Sequence, residues 1–237
     1  MKVALLRVGI DSGSGGCQGP LLPDGSFEHV PIPDGFGIDS RTYGNTVGRH
    51  GRLLKDYLSP SLGQRLEAQS MHVDPEFETF TYGDPTSPKA GLRHLEKGDV
   101  LVFYAGLEGW GFDSPPALYI IGYFKVLTAG RAADFRPAEI RALFSKNFHV
   151  LHRRVYRDQK ANLVLVKGSS KSRLLKKAVQ ISETGRDRAG KPLKVLSRDM
   201  QRVFGDFGGK ISIQRSPTRW VEPAFIGSAK EFVYNLR

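Results

Sequence analysis

Residues 98–127 read GDVLVFYAGLEGWGFDSPPALYIIGYFKVL, and this stretch decides the fold. Two long apolar runs, 100–107 and 117–127, flank a loop that is rich in glycine and proline. Apolar runs bounded by turn residues are typical of buried strands, and strands joined by such a loop commonly pair in antiparallel fashion. The stretch therefore predicts two neighbouring antiparallel strands of one sheet.

The flanking sequence predicts a mixed fold around this pair. Alternating or continuous apolar runs predict further strands at 3–8, 76–82 and 162–166. Helical spacing predicts helices at 50–58, 88–95, 137–144, 195–204 and 230–236. Ser169 and Ser170 are predicted to cap a basic helix that runs through Lys177. The expected fold class is α+β, a largely antiparallel sheet with flanking helices, in a single domain over residues 1–237.

An alternative architecture is a small barrel. The wording of residues 98–127, a Gly-Asp turn followed by a strand and then a strand with an internal glycine, is similar to the central strands of PUA-like and EVE-type domains. That resemblance implies a small barrel with flanking helices, of the kind that commonly holds modified or flipped bases. Both architectures remain open at this point.

Composition excludes several classes of protein. The chain has 237 residues, of which 25% are charged and 40% hydrophobic, as is usual for globular proteins. A single cysteine, Cys17, rules out an internal disulfide and cysteine-rich zinc sites. No run reaches the roughly 20 apolar residues that span a bilayer, and the start of the chain lacks a secretory signal pattern. We therefore expect no membrane partner and a cytoplasmic location.

The net charge of +11 is distributed unevenly. Residues 1–130 carry 11 Lys/Arg and 15 Asp/Glu, a net charge of −4, whereas residues 131–237 carry 24 and 9, a net charge of +15. Basic segments attract polyanions because each phosphate contact releases condensed counterions. The expected partner is nucleic acid, with DNA favoured over RNA, or a nucleotide.

A glycine-rich loop, GIDSGSGGCQG at residues 9–19, follows the first predicted strand. It matches neither the dinucleotide fingerprint nor the P-loop pattern, and clusters of Asp, Ser and Gly are also ordinary turn formers. Loops of this kind nevertheless approach phosphate closely. The candidate phosphate-binding residues here are Arg7, Ser12, Gly15 and Gly16, and Asp11 is a candidate general base.

Acidic residues and a histidine alternate at positions 72–78. On an extended strand His72, Asp74, Glu76 and Glu78 would share one face, which suits acid–base work or a divalent cation. We expect His72 and Asp74 to be catalytic and Asp74, Glu76 and Glu78 to be candidate metal ligands. A solvated acidic edge strand has the same pattern.

Several cations lie near aromatic or polar residues. Arg41 and Tyr43 lie in a glycine-containing loop, where a guanidinium can grip phosphate and a ring can stack on a base; Arg41 is also a candidate catalytic residue, and a salt bridge to its acidic loop is the alternative. The other predicted nucleic-acid contacts are Lys167, Lys171, Arg173, Arg215 and Trp220.

Five short motifs together resemble one family, the nucleotide-modification-associated domain family, third type, which occurs in phages and bacteria. They are a basic residue, Gly, a hydrophobic residue and Asp-Ser at Arg7–Gly16, and then Pro31–Asp34, Ser40–Thr42, His72–Pro75 and Gly98–Phe103. The resemblance implies a role associated with DNA-base or nucleotide modification, inferred largely from genomic setting. The opening basic residue, often Lys in the family, is Arg7 here, which leaves a Schiff-base role for it in doubt.

Three functions follow from these observations. The first is an enzyme that modifies a base or nucleotide, with Asp11 and Asp74 as bases or metal ligands, His72 as acid–base partner, and Arg7 and Arg41 as oxyanion or phosphate clamps. The second is a reader without catalysis, in which Tyr43, Tyr104 or Trp110 stacks on a flipped base. The third is a metal-dependent endonuclease that uses Asp11, Asp74, Glu76 and Glu78 with Lys89 or Lys97.

Overall fold

The computed structural model describes residues 1–214 and 217–236. Its strands are β1 (Val3–Arg7), β2 (Gly19–Leu21), β3 (Ile32–Pro33), β4 (Met71–His72), β5 (Thr81–Asp84), β6 (Val100–Gly109), β7 (Ala117–Arg131), β8 (Val164–Gly168), β9 (Arg173–Gln180), β10 (Ser182–Arg186), β11 (Pro192–Leu196) and β12 (Arg219–Trp220). Its α-helices are α1 (Pro60–Leu66), α2 (Pro137–Phe144), α3 (Phe148–Leu151), α4 (Arg153–Gln159), α5 (Arg198–Phe204) and α6 (Ile226–Asn235). Short 3₁₀ helices cover Leu54–Tyr57, Ser87–His94, Ala132–Asp134 and Pro223–Phe225.

One large sheet dominates the molecule. Its strands follow the order β12-β1-β6-β7-β8-β5, with β2 also paired to β6 and β9 also paired to β7. The β1–β6 and β2–β6 pairs are parallel and the others are antiparallel. Within the described residues this sheet does not close, so the α+β prediction is confirmed and the small-barrel alternative is wrong.

The predicted pair at residues 98–127 is the centre of the sheet. β6 and β7 run antiparallel from the Val100–Lys125 pair to the Leu107–Ala117 pair, with a register shift after Phe103. Residues 100–107 are all buried. The Phe103 ring lies 4.6 Å from that of Phe124 and 5.6 Å from that of Phe77, which ties the turn before β5 to the sheet.

Two local predictions are wrong, and each has a physical reason. Residues 77–80 form a turn rather than a strand, because the buried Glu76 carboxylate accepts the backbone N–H groups of Glu78 and Thr79 and leaves the strand to begin at Thr81. Residues 173–180 are β9 rather than a helix, because the chain turns at Ser169–Ser172 and then pairs with β7. The helix predicted at residues 50–58 is shorter in the structure, where a 3₁₀ turn covers Leu54–Tyr57.

A second, smaller core supports the loops that precede β5. It consists of Ile10, Val30, Tyr43, Leu54, Tyr57, Leu58, Leu62, Leu66 and Met71. These side chains hold residues 10–71 against the end of β1 without a long regular element. None of the helices within residues 1–214 and 217–236 has the length and apolar composition that a membrane crossing requires.

The aromatic centre of the sheet should dominate stability. Replacing Phe103, which is fully buried, with Ala is expected to lower the free energy of unfolding by about 3–5 kcal/mol, because the change removes apolar burial and leaves a cavity. Leu127→Ala, at a partly exposed position on β7, serves as the control and should cost under about 1 kcal/mol. Urea denaturation measures both; equal losses would contradict this placement of the core.

Candidate functional site

The glycine-rich loop is held to the end of β1 by Arg7 and Asp11. Asp11 Oδ1 accepts the backbone N–H groups of Gly13 and Ser14, at 2.8 and 2.7 Å, and Asp11 Oδ2 lies 3.2 Å from Arg7 Nη2. Arg7 Nη1 also donates to the carbonyl of Gln214. Asp11 therefore organises the loop as an Asx turn, and both of its oxygens are engaged.

His72 reaches this loop through a two-strand ribbon. β3 and β4 pair so that Ile32 lies opposite His72. The imidazole packs on the ring of Phe148, with centroids 4.1 Å apart. His72 is therefore fixed by the second core and by α3.

Asp74 is buried beside a glycine of β5. Its Oδ2 accepts the backbone N–H of Gly83 at 2.8 Å and lies 3.5 Å from Asn147 Nδ2, while its Oδ1 is buried with no hydrogen-bond partner among the described residues. A Cβ at position 83 would lie 2.9 Å from both Asn147 Oδ1 and the His149 ring. Glycine is required here because the strand and α3 approach so closely.

His149 completes the cluster from a distant part of the chain. Asn147 caps α3 and accepts the backbone N–H of His149, which places the imidazole inward. His149 Nε2 lies 3.1 Å from His72 Nε2 and 3.4 Å from Asp74 Oδ2. On the other side of the ring, Nδ1–H donates to Gln159 Oε1 at 2.6 Å.

Burial shapes the ionisation of this cluster. Burial lowers the pKa of His72 to about 3, with the neighbouring imidazoles adding to the effect. Burial raises the pKa of Asp74 to about 6, against the lowering effect of His149. For His149 burial is the largest single effect and lowers the pKa, but the hydrogen bond and charge of Asp74, together with Gln159 and Asp84, outweigh it, so the pKa is raised. Burial therefore keeps His72 neutral near pH 7, whereas Asp74 favours the protonated form of His149.

These groups open onto one cleft. A depression of about 450 Å³ is lined by Arg7, Val8, Gly9, Asp11, Gly13, Ser14, Ile32, His72, Asp74, Tyr82, Gly83, Asp84, Lys89 and Gln214. Lys89 is 6% exposed, its Nζ has no hydrogen-bond partner among the described residues, and burial lowers its pKa to about 8. Arg7 Nε is a second buried donor without a partner there.

A second depression adjoins the first at Arg7, Asp11, Gly13 and Gln214. It has a volume of about 460 Å³ and extends to Ser12, Gln18, Pro116 and the β10–β11 hairpin, including Lys194. Together the two depressions make a groove that passes the glycine-rich loop from the His72 side to the basic hairpin. We call this groove the central cleft.

Several residues predicted from the sequence lie in or beside the central cleft. The structure brings Arg7, Asp11, Ser12, His72 and Asp74 to its walls. Gly16 lines a third depression next to Ser12, and Gly15, at φ +146°, packs on Ile10 at the base of the loop.

The predicted carboxylate set does not converge. The cluster of possible ligand atoms in the described residues is His72, Asp74 and His149, and it contains neither Glu76 nor Glu78. The Glu76 carboxylate points into the turn at residues 77–80, where the Thr79 hydroxyl also donates to it. Glu78 is exposed. The strand register that would have aligned them is absent because residues 77–80 form a turn.

Arg41 and Tyr43 lie away from the central cleft. Arg41 makes a bidentate ion pair with Asp39, at 3.0 and 2.6 Å, the alternative that the sequence had left open. Tyr43 is fully buried and its hydroxyl donates to the Pro31 carbonyl, so neither face of its ring is open to a base. Tyr104 is likewise buried, and its hydroxyl donates to the Ile213 carbonyl.

The predicted cations of the basic half are dispersed. Lys167 is half-buried on β8 and donates to the Thr79 carbonyl, while Lys171 and Arg173 are exposed at the start of β9. Trp220, on β12, packs against Gly91. Arg215 lies outside the described residues.

Sequence reasoning missed His149 and the two residues that orient it. His149 lies 75 positions beyond Asp74 and comes close only because α3 packs on β5. The one local signal is an Asn-x-His at the start of a short helix, which marks a cap rather than a site. The sequence suggested Lys89 as a functional residue only in the endonuclease alternative.

The arrangement can do two kinds of chemistry. A neutral imidazole next to a carboxylate can take and return protons, and the two imidazoles with the carboxylate can hold a metal ion. Arg7 and Lys89 supply cationic donors beside the same cleft for an anionic substrate.

Comparison with known protein families identifies the family of this chain. The family model for nucleotide modification associated domain 3 matches residues 2–235. The chain belongs to this family. Neither the curated proteins nor the solved structures gave a match. Family membership supports a general association with nucleic-acid modification, in agreement with the motifs at Arg7–Gly16 and His72–Pro75.

The close approach at Gly83 gives a test of the cluster in this nucleotide modification associated domain 3 protein. Gly83→Ala is expected to lower the free energy of unfolding by about 1–3 kcal/mol, because the new methyl group would force Asn147 and His149 away from Asp74. The control is Gly35→Ala, where a Cβ meets nothing within 4 Å, and it should stay within about 0.5 kcal/mol of wild type. Thermal and urea unfolding measure the difference; a neutral Gly83→Ala would show that the close packing is absent.

Proposed function

We propose that this protein is an enzyme that modifies a nucleobase or nucleotide, with its reaction centre at His72, Asp74 and His149. One observation carries the proposal. A single cleft combines this buried cluster with two cationic donors, Arg7 Nε and Lys89 Nζ, that have no partner among the described residues. Buried polar groups are normally hydrogen-bonded, so unpaired ones beside a cleft favour a missing ligand.

The substrate is expected to be anionic. The Lys89 amino group retains mostly positive charge near pH 7, given a pKa of about 8. Within the described residues, Asp84 is the carboxylate that stabilises this charge, and it already accepts hydrogen bonds from Tyr82 and Thr86. A phosphate group placed between Lys89 and Arg7 would satisfy both donors.

The position of the basic residues favours a polymer rather than a free nucleotide alone. The β10–β11 hairpin forms one end of the central cleft and carries Arg186, Arg188 and Lys191 on its exposed surface. Lys194 of the same hairpin faces the cleft. A DNA strand whose target nucleotide enters at His72 would place its neighbouring phosphates along this hairpin.

The two other functions are less well supported. The open sheet removes the barrel that the reader alternative implied, and Tyr43 and Tyr104 are buried within the core. Trp110 packs on Tyr57, with ring centroids 5.2 Å apart, and under Arg52. The separation of Glu76 and Glu78 from Asp74 removes the carboxylate set on which the endonuclease alternative depended.

Lys89 should contribute to binding. Lys89→Met keeps most of the buried stem and removes the charge, so the affinity for a labelled single-stranded DNA and for a deoxynucleoside monophosphate should fall by about 10–100-fold, the equivalent of one charge-assisted hydrogen bond. Lys97→Met, at an exposed turn, should leave the affinity unchanged. Fluorescence anisotropy measures both; equal affinities for the two variants would remove Lys89 from the site.

Asp74 should be essential for the chemistry. The wild-type protein is incubated with single-stranded DNA, duplex DNA or deoxynucleotides, and small molecules from a cell extract are added as a source of cosubstrate. Mass spectrometry of the nucleosides is expected to show a new mass. Asp74→Asn should reduce its rate by about 10²–10⁴-fold, because it removes the carboxylate that orients His149. Asp113→Asn, in an exposed loop, is the matched control.

The same samples separate the competing functions. Shortened strands on a gel would support an endonuclease instead. Tight binding with no change in any nucleoside, both in wild type and in Asp74→Asn, would support a reader and contradict the proposed reaction.

A further inference from the structure

The atoms at the back of the central cleft are arranged like metal ligands. His149 Nε2 lies 3.1 Å from His72 Nε2 and 3.4 Å from Asp74 Oδ2. Two donors bound to one ion at about 2.1 Å lie about 3.0 Å apart in octahedral geometry and about 3.4 Å apart in tetrahedral geometry. The two separations from His149 Nε2 fall in this range, and the ligand atoms of all three residues lie within 4.8 Å of one another.

A proton satisfies this cluster only in part. One hydrogen on His149 Nε2 can be donated well either to His72 or to Asp74. In the first case Asp74 keeps only its backbone partner Gly83 at close range, and in the second case His72 Nε2 has no partner in the cluster. Asp74 Oδ1 remains without a partner in either case, although the Asp74 side chain is only 3% exposed. One cation between the three residues would satisfy both imidazole nitrogens and the carboxylate together.

The surroundings of His149 are those of a metal ligand. Its Nδ1–H donates to Gln159 Oε1, which fixes the ring and leaves Nε2 as the atom directed at the cluster. Metal-binding histidines almost always have such a partner on the second nitrogen. Asp74 is held in turn by the backbone N–H of Gly83.

We propose that His72 Nε2, His149 Nε2 and the Asp74 carboxylate form a binding site for one divalent first-row transition metal ion. Two imidazoles and one carboxylate suit Zn²⁺, Fe²⁺, Mn²⁺ or Co²⁺, whereas Mg²⁺ and Ca²⁺ prefer sites made of oxygen atoms. His72 and Asp74 line the central cleft, and His149 lies behind them. The ion would therefore be open to substrate from the cleft side only.

This proposal deepens the proposed function and rests on it for the view that the cleft is a reaction site. It replaces the carboxylate set of Asp74, Glu76 and Glu78 that the sequence predicted with a set of mixed nitrogen and oxygen donors. The change matters because the donor set alters which metal the protein selects.

The test is metal binding by the full-length chain without substrate. After chelation and dialysis, titration with Co²⁺ and with Zn²⁺ in a calorimeter is expected to show one equivalent bound, and Co²⁺ should develop visible absorption bands. His72→Ala and Asp74→Asn should each weaken binding at least 100-fold, and His94→Ala, at an exposed histidine, should not change it. Gln159→Leu should weaken binding by about 10–100-fold, since it removes the hydrogen bond that orients His149.

Two variants guard against misfolding. His149 is almost fully buried, so His149→Ala is judged only together with His72→Ala, whose side chain is partly exposed, and with circular dichroism of each protein. Binding of well under one equivalent by the wild type would overturn the proposal. Unchanged affinity in folded His72→Ala and Asp74→Asn would also overturn it.

Failure of the metal site and failure of the proposed function are distinguishable. A bound metal with no nucleoside change in any assay supports the site and contradicts the reaction. Nucleoside modification by a wild-type protein that binds well under one equivalent of metal contradicts the site and leaves the reaction in place.

Discussion

The antiparallel pairing of β6 with β7 is the interaction on which the rest of the structure depends. β6 holds β1 in parallel on its far side, so Arg7 and the glycine-rich loop emerge at the end of that pair. β7 is long enough to pair with β9 along one half and with β8 along the other. β8 then holds β5, and β5 presents the Gly83 N–H to Asp74. Both walls of the central cleft are therefore positioned by this one strand pair.

The buried cluster beside the cleft is expensive for folding. A carboxylate and two imidazoles leave water there, and only part of their hydrogen-bonding capacity is recovered inside the protein. Replacing buried charged groups by apolar ones of similar volume is often neutral or stabilising by about 1–4 kcal/mol. Gly83 adds a further constraint, since it keeps a position in β5 free of a side chain to admit His149. Such costs are typical of a site that is retained for chemistry rather than for stability.

The sequence predicted the parts of the fold in which local pattern and tertiary packing agree. Their apolar patterns agree with the conformation observed in the β6–β7 pair, β1, β8, α2 and α6. It failed where one side chain redirects the backbone: Glu76 binds the N–H groups of its own turn, so an alternating segment does not extend. It failed again after Ser172, where a basic segment with helical spacing pairs with the open edge of β7. Pairing with β7 outweighed helical propensity there, since most of β9 is exposed or half-buried.

The site was predictable only in part, for a related reason. His72 and Asp74 lie two positions apart in one motif of the family, and Arg7 and Asp11 lie in another. The sequence could therefore associate the two pairs. His149 depends on the packing of α3 against β5, and local spacing carries no record of that contact.

The proposed function requires the cleft to attract an anion although most of its lining belongs to a half of the chain that is negative overall. Arg7 and Lys89 both belong to residues 1–130, whose net charge is −4, yet Arg7 Nε and Lys89 Nζ are buried donors beside the cleft without a hydrogen-bond partner among the described residues. In that half Asp11, Asp39 and Asp84 are already engaged by cations or hydrogen-bond donors, and a carboxylate engaged in this way repels an anionic ligand less. The +15 half then contributes at longer range through the β10–β11 hairpin. Under the proposed function, affinity at the reaction centre would be set by these few poorly solvated donors, whereas the net charge would govern how an anionic polymer is drawn towards them.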